Sequence, residues 1–227
     1  MSDKPSVRSP WFWVPSLYFA QGIPYVAVMI VSVLMYKRLG VSNTDIALYT
    51  SWLNLPWVIK PFWSPFVDLL KTKRWWVATM QLLIGAGLAG VAFTIPTTFF
   101  FQASLAVFWL LAFSSATHDI AADGFYMLAL DSHEQAFFVG IRSTFYRIAI
   151  IAGQGVLVMF AGFLENSTGN IPLAWSVTFF ILGGLFLALF LYHRYILPLP
   201  KGDKPSATVT PSTILKEFFA TFASFFK

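Results

Sequence analysis

The chain of 227 residues contains no cysteine. That excludes a disulfide framework, a cysteine-built zinc site and a thiol nucleophile. Charge is scarce as well: Asp, Glu, Lys and Arg make up 11% of the residues, where a soluble domain carries about 25%. Also missing are H-E-x-x-H, G-x-S-x-G and the P-loop pattern, so no catalytic residue, metal site or cofactor is expected. What fills the chain instead is apolar sequence, 57% of residues, with a mean hydropathy of +0.69. This reads as an integral membrane protein whose surroundings are a lipid bilayer. The formal charge of +5 then has a topological explanation, and no nucleic-acid partner is expected. Met1 to Ser9 is short and polar and lacks the parts of a signal peptide, so the first apolar stretch is expected to stay in the mature protein.

Six apolar stretches each reach the roughly 20 residues needed to cross a hydrocarbon core. They run approximately Trp11 to Tyr36, Ile46 to Leu70, Trp75 to Ile95, Phe99 to Leu128, Phe137 to Leu164 and Leu173 to Leu197. The expected organisation is a cytoplasmic tail over residues 1–10, a six-helix bundle over 11–197, and a cytoplasmic linker over 198–227. Within the linker, Ser212 to Lys227 repeats Phe, Ile and Leu at helical spacing, as an amphipathic surface helix does. Lys4, Arg8, Lys71, Lys73, Arg74, Arg194, Lys201, Lys204, Lys216 and Lys227 fall on one side of these spans, and only Lys37 and Arg38 on the other. Ten against two places both termini in the cytoplasm.

The polar residues inside the spans form stripes. At 100° per residue, span 1 aligns Tyr18, Gln21, Tyr25 and Ser32; span 2 aligns Lys60, Ser64 and Asp68. Span 4 aligns Ser115, His118, Asp119 and Asp123; span 5 aligns Ser143, Arg147 and Gln154, with Arg142 about 140° away from Arg147. Spans 3 and 6 are nearly bare. The order polar, polar, bare occurs twice, as two inverted three-helix repeats would give. Spans 1, 2, 4 and 5 are therefore expected around a polar cavity, with spans 3 and 6 peripheral.

Ionisable residues at membrane depth cost on the order of 2.5–3.5 kcal/mol each on insertion scales, so these have a use. Lys60 reads either as the partner of a carboxylate on a neighbouring span or as an anion site in the cavity. Asp119 and Asp123 lie one turn apart: close carboxylates make a proton carrier, while Arg142 at the facing end of span 5 can hold them as a static gate lock. Arg147 offers the planar donor fork that suits a carboxylate or phosphate. His118 reads as a helix-packing hydrogen-bonder or as a proton relay. Asp68, beside Lys71, Lys73 and Arg74, reads as structural or gating. The substrate contacts expected are Gln21, Tyr25, Lys60, Arg147 and Gln154; the proton-coupling or gate residues are Asp68, His118, Asp119, Asp123 and Arg142. Gly85-Ala86-Gly87-Leu88-Ala89-Gly90 matches the dinucleotide fingerprint in letters only. It lies mid-span, where glycines permit close helix packing. Pro24, Pro56, Pro61 and Pro65 bend their spans, either as fixed kinks or as the pliable wall of a cavity.

Several motifs carry a resemblance. Asp68 with Lys73-Arg74 resembles a degenerate loop 2–3 signature of the major facilitator superfamily. Tyr18-Phe19-Ala20-Gln21-Gly22-Ile23-Pro24, Lys60-Pro61-Phe62-Trp63-Ser64-Pro65-Phe66-Val67-Asp68 and Ala116-Thr117-His118-Asp119-Ile120-Ala121-Ala122-Asp123-Gly124 are together similar to the AmpG-like muropeptide permeases and related acetyl-CoA transporters. The resemblance implies the N-terminal half of a facilitator fold and a proton-driven importer in the bacterial inner membrane. The implied solute is an anionic small molecule, an anhydro-muropeptide for the AmpG-like members. A missing C-terminal half or a second copy of the chain would complete the cavity. The competing function is a non-transporting membrane subunit built on half the fold.

The charge count generates a direct test of topology. Maleimide applied outside intact cells should label Lys37→Cys and Asn166→Cys and leave Lys73→Cys unlabelled; outside labelling of Lys73→Cys would overturn the orientation.

Overall fold

The computed structural model describes residues 9–204. The surface helix expected over Ser212 to Lys227 lies outside the described residues. The described chain folds into α1 (Pro10–Arg38), three short helices α2 (Asn43–Thr50), α3 (Leu55–Ile59) and α4 (Ser64–Leu70), then α5 (Lys73–Thr94), α6 (Phe100–Ala129), α7 (Ser132–Thr168) and α8 (Ile171–Ile196). No strand occurs among the described residues. Five of these helices, α1 and α5 to α8, are long and apolar enough to cross a membrane.

The expected second span is therefore not one helix. Pro56 and Pro65 sit in the first two positions of α3 and α4, and Pro61 opens a 3₁₀ turn over Lys60–Phe62 between them. Proline donates no backbone hydrogen bond and clashes with the preceding turn, so each one restarts the helix. The 28 residues from Asn43 to Leu70 would cover about 42 Å at the helical rise, so the broken segment is still long enough for a core of about 30 Å. In α1 the interior Pro24 is followed by a π turn over Ala27–Val31, and α7 carries a second π turn over Gly153–Leu157.

Helix ends are set locally. Ser42, Thr72 and Asn170 accept backbone hydrogen bonds at the starts of α2, α5 and α8, and Asp131 with Glu134 forms a capping box on α7. After α1, Gly40 takes φ 84°, the left-handed conformation that lets Val41 N–H reach back to Tyr36 C=O at 3.0 Å.

Of the five long helices, α1 is the most enclosed and α7 the most exposed. α1 packs on α7 and α6, and α5 packs on α8 and α6. Exchanging the first three spans for the last three maps the α1–α7 pair onto α6 with α3 and α4, and maps α5–α8 onto itself. All of these contacts are present, whereas the close α5–α6 packing has only a slight counterpart between α8 and α1, so the expected symmetry of two repeats is incomplete in the contacts. The glycines of the false dinucleotide fingerprint set the close approaches. A Cβ on Gly85 would meet the Gly183 carbonyl at 3.2 Å, one on Gly183 the Gly85 carbonyl at 3.0 Å, and one on Gly87 the Leu111 side chain at 2.6 Å.

Each end of the bundle is tied. At one end Arg38 donates from Nε (2.9 Å) and Nη2 (2.5 Å) to Glu165 Oε2, and Trp175 Nε1 donates to Glu165 Oε1 at 2.7 Å, joining α1, α7 and α8. At the other, the segment after α8 turns back and Asp203 accepts from the Lys73 and Arg74 amides at 2.6 and 3.0 Å. A carboxylate at the start of α5 meets both its free N–H groups and its positive dipole end. Lys73 is buried and ion-paired with Asp68, so a cysteine there would stay protected from either side; the exposed Lys71 is the better reporter of this loop.

The α5–α8 crossing generates a paired prediction. Gly183→Leu drives a side chain into the Gly85 backbone and should destabilise by about 1–3 kcal/mol, the usual cost of overpacking. Gly184→Leu, next in sequence with nothing within 4 Å of its Cβ position, should be tolerated. Thermal unfolding of the purified variants in detergent reads the difference; equal midpoints would refute the crossing.

Candidate transport cavity

Two neighbouring cavities open between the polar stripes. One, of about 610 Å³, is lined from the broken second span by Lys60, Ser64 and Asp68 and from α6 by Ile120, Asp123 and Gly124, with Lys73 and Asp203 at its edge. The other, of about 400 Å³, is lined by Tyr18 and Gln21 of α1, Asp123 of α6, and Arg142, Ser143, Tyr146 and Arg147 of α7. Asp123 borders both. α1, α6, α7 and the broken segment thus supply the walls, while Lys73 of α5 and the segment after α8 contribute at the rim and α8 lines neither cavity.

The carboxylates of α6 separate, each with its own cation. Lys60 sits where the second span is broken, in the Lys60–Phe62 turn, and its Nζ lies 3.7 Å from Asp119 Oδ2. It both faces the cavity and pairs with a carboxylate, so the two readings of Lys60 are not exclusive. Asp119 is buried, and its Oδ1 has no hydrogen-bond partner; the buried Gln21 beside it has its Oε1 unpartnered as well. Each is a buried acceptor left without a donor.

Asp123 lies one turn further on. Its Oδ1 accepts from Tyr18 Oη at 2.9 Å and from Arg142 Nη1 at 3.4 Å, and Arg142 Nη1 also donates to Tyr18 Oη at 2.9 Å. The guanidinium stands between the rings of Tyr18 and Tyr126, at 5.1 and 5.0 Å from their centroids, within cation–π range. Arg142 therefore holds Asp123 alone; Asp119 belongs to Lys60. Arg147 is exposed in the second cavity and has no ion pair among the described residues.

Other expected residues lie elsewhere. Gln154 is exposed on the π turn of α7 and lines neither cavity. Seven residues place it about 10 Å beyond Arg147 along the helix, so a shared azimuth does not give a shared cavity. Tyr25 is half-buried edge-on against Trp57, centroids 5.2 Å apart, and also lines neither. Asp68 pairs with Lys73 at the rim. His118 points away from the cavity to Gln81 of α5, nitrogen to nitrogen 3.0 Å.

Sequence reasoning passed over four residues. Tyr146 lines the second cavity. Gln81 and His193, on spans read as bare, are completely buried and hydrogen-bonded to each other at 3.0 Å; Ser16 reaches His193 at 3.0 Å. The signal was available: a lone amide in an apolar span must find a polar partner on a neighbour.

The Asp123–Arg142 pair is testable. Its side chains are 43% and 31% exposed, so the pair is wet. A double-mutant cycle of Asp123→Ala and Arg142→Ala should give a coupling of about 1 kcal/mol, below the roughly 3–5 kcal/mol for breaking a dry pair. Strictly additive losses in detergent unfolding would show that the two do not interact.

Comparison with known proteins agrees with this architecture. The chain is 29% identical over 181 residues to "Putative transporter AmpG 4" of Rickettsia conorii, covering 75% of this chain and 41% of that protein. It is 26% identical over 224 residues to the protein of the same name in Rickettsia felis, covering 93% and 51%. Against the "Anhydromuropeptide permease" of Escherichia coli K12 it is 28% identical over 153 residues, covering 64% and 30%. The chain thus spans about half or less of the length of these curated relatives. Its apolar helices and these relatives mark an integral membrane protein. A family match runs over residues 19–220, nearly the whole chain, and on that extent the protein belongs to the BT1 family, which is related to the major facilitator superfamily.

Proposed function

We propose that the chain forms one six-span half of a secondary transporter that moves an anionic, carboxylate-bearing solute, of the anhydro-muropeptide kind, coupled to protons. The observation that carries the reading is the charge pattern of the cavity walls. Lys60 and Arg142 are each matched by a carboxylate, at 3.7 and 3.4 Å, whereas Arg147 in the second cavity has no ion pair among the described residues. An unmatched guanidinium at a polar cavity is a ready contact for a carboxylate. Cavities of about 610 and 400 Å³ fall in the range of roughly 300–1,000 Å³ that holds small-molecule ligands. The relatives' printed names, transporter and permease, point the same way.

In this reading Asp119 supplies the coupling. Its buried carboxylate lies 3.7 Å from Lys60 Nζ. Adding a proton to Asp119 cancels its attraction for Lys60 and frees that lysine to face the solute's negative charge. Removing the proton restores the pair and expels the anion, so solute and proton bind together. Both termini lie in the cytoplasm, and the exposed walls on α7 and the broken second span are completed by a second half or a second copy.

The test is uptake of labelled anhydro-muropeptide by vesicles carrying the full-length protein under an imposed proton gradient. Arg147→Gln and Lys60→Gln should each lower uptake by about tenfold or more, one charged hydrogen bond contributing roughly 1.5–3 kcal/mol, with membrane insertion intact. Arg147→Lys should fail as well, because a point charge cannot reproduce the planar fork. Normal uptake by both glutamine variants would defeat the reading.

A further inference from the structure

A second polar assembly lies apart from the cavities. Ser16 Oγ of α1 is 3.0 Å from His193 Nε2 of α8, His193 Nδ1 is 3.0 Å from Gln81 Oε1 of α5, and Gln81 Nε2 is 3.0 Å from His118 Nε2 of α6. Gln81, His118 and His193 each have 0% exposure, so water cannot replace a lost partner. An amide has one donating and one accepting end, so the chain is satisfied only when one imidazole donates and the other accepts. The hydrogen bonds thus fix the ring tautomers and the amide orientation together, and with them the relative placement of four helices.

We propose that Gln81 and His193 are positioning residues of transport: acting through His118, they fix the rotation of α6 about its axis and so aim Asp119 at Lys60. The proposal rests on the transport reading above. His118 and Asp119 are consecutive on α6, so their side chains diverge by about 100°. Holding His118 toward α5 therefore sends Asp119 toward Lys60, which lines the larger cavity. The contact of Gly87 with Leu111 on the same side is apolar and tolerates small rotations. The target is sensitive to rotation. Side-chain tips stand about 5–6 Å from a helix axis, so a turn of about 20° moves them by about 2 Å. The Lys60–Asp119 separation is already 3.7 Å, and such a shift breaks it.

A merely structural role is separable because replacing all the buried members of a polar assembly by apolar residues leaves no unmet group; Gln81 also serves His193, so His193 is replaced too, and Ser16 keeps its hydrogen bond to the Trp13 carbonyl at 3.2 Å. Gln81→Leu combined with His118→Leu and His193→Leu should therefore fold, judged by monodisperse elution, yet lower anhydro-muropeptide uptake by about tenfold, a shift of about 1.4 kcal/mol. The second readout needs no transport. The chain has no native cysteine, so single cysteines can be placed at Ile120, on the cavity wall, and Ala122, fully buried. Water-soluble maleimide should label Ile120→Cys faster than Ala122→Cys in the parent, and the triple leucine background should change the ratio of the two rates, since a turn of about 20° moves each thiol by about 2 Å. His118→Gln, which keeps an amide in reach of Gln81, should preserve the ratio; this variant against His118→Leu carries the same test should the triple variant misfold. An unchanged ratio in the leucine backgrounds overturns the positioning role. Absence of uptake by the parent, with the ratio changing as expected, overturns the transport reading and leaves the positioning standing.

Discussion

A polar group inside a bilayer has no water to fall back on, so each one in the hydrocarbon region must meet a partner from a neighbouring helix or face a cavity. Both solutions occur here, on opposite sides of α6. Toward α5 and α8 the polar side chains are sealed, and His118, Gln81 and His193 hydrogen-bond in series, leaving His118 Nδ1 without a partner. Toward the broken second span and α7 the side chains are ionisable and paired over longer distances, 3.7 Å between the half-buried Lys60 and the buried Asp119 and 3.4 Å between the partly exposed Arg142 and Asp123. The helix that carries Asp119 and Asp123 is the boundary between a dry, hydrogen-bonded side and a wet, ionic one.

The same constraint explains how a proline-broken segment can serve as a span. Each proline leaves a carbonyl of the previous turn without its donor, which is tolerable only beside protein or a water-filled space. The break at Lys60–Phe62 falls where the larger cavity opens, and Trp63 donates from Nε1 to Thr117 of α6 at 3.2 Å just after it. Lys60 owes its depth in the cavity to that break: the turn carries the residue without requiring a continuous helix behind it.

Much of this was legible from the sequence. Composition gave the membrane class, and 100° arithmetic on α1 and α6 put Tyr18, Gln21 and Asp123 on the cavity walls, with Asp119 buried behind Lys60. Azimuth carried no information about depth, and Gln154 shows the cost: it shares a stripe with Arg147 but lies two turns past the cavity. Nor did the pattern state which cation each carboxylate would choose. Arg142 was a candidate for both, and the depth of Lys60 divided them. Spans 3 and 6 looked bare because their single polar residues, Gln81 and His193, form no stripe; their significance is in pairing with each other across the Gly85–Gly183 approach, which no single helix displays. The continuous second span failed for a local reason: apolar length was counted across three prolines that each restart a helix.

These observations divide the bundle by how firmly its parts are held. α5, α6 and α8 are joined by glycine-enabled backbone approach and by buried hydrogen bonds of 3.0 Å, and α1 is tied in through Ser16. Such contacts are short, directional and shielded from water, so they change all together or not at all. The broken second span is held to this block by the Lys60–Asp119 ion pair, the Trp63–Thr117 hydrogen bond, the rim pair Asp68–Lys73 and the apolar burial of Leu53 and Val67. A helix already interrupted has fewer internal bonds to resist bending. The two walls of the larger cavity thus differ in build, α6 continuous and the second span broken at Lys60–Phe62. Because Asp119 stands on the continuous wall and Lys60 on the broken one, a change in the charge of Asp119 acts directly on a contact between the two walls.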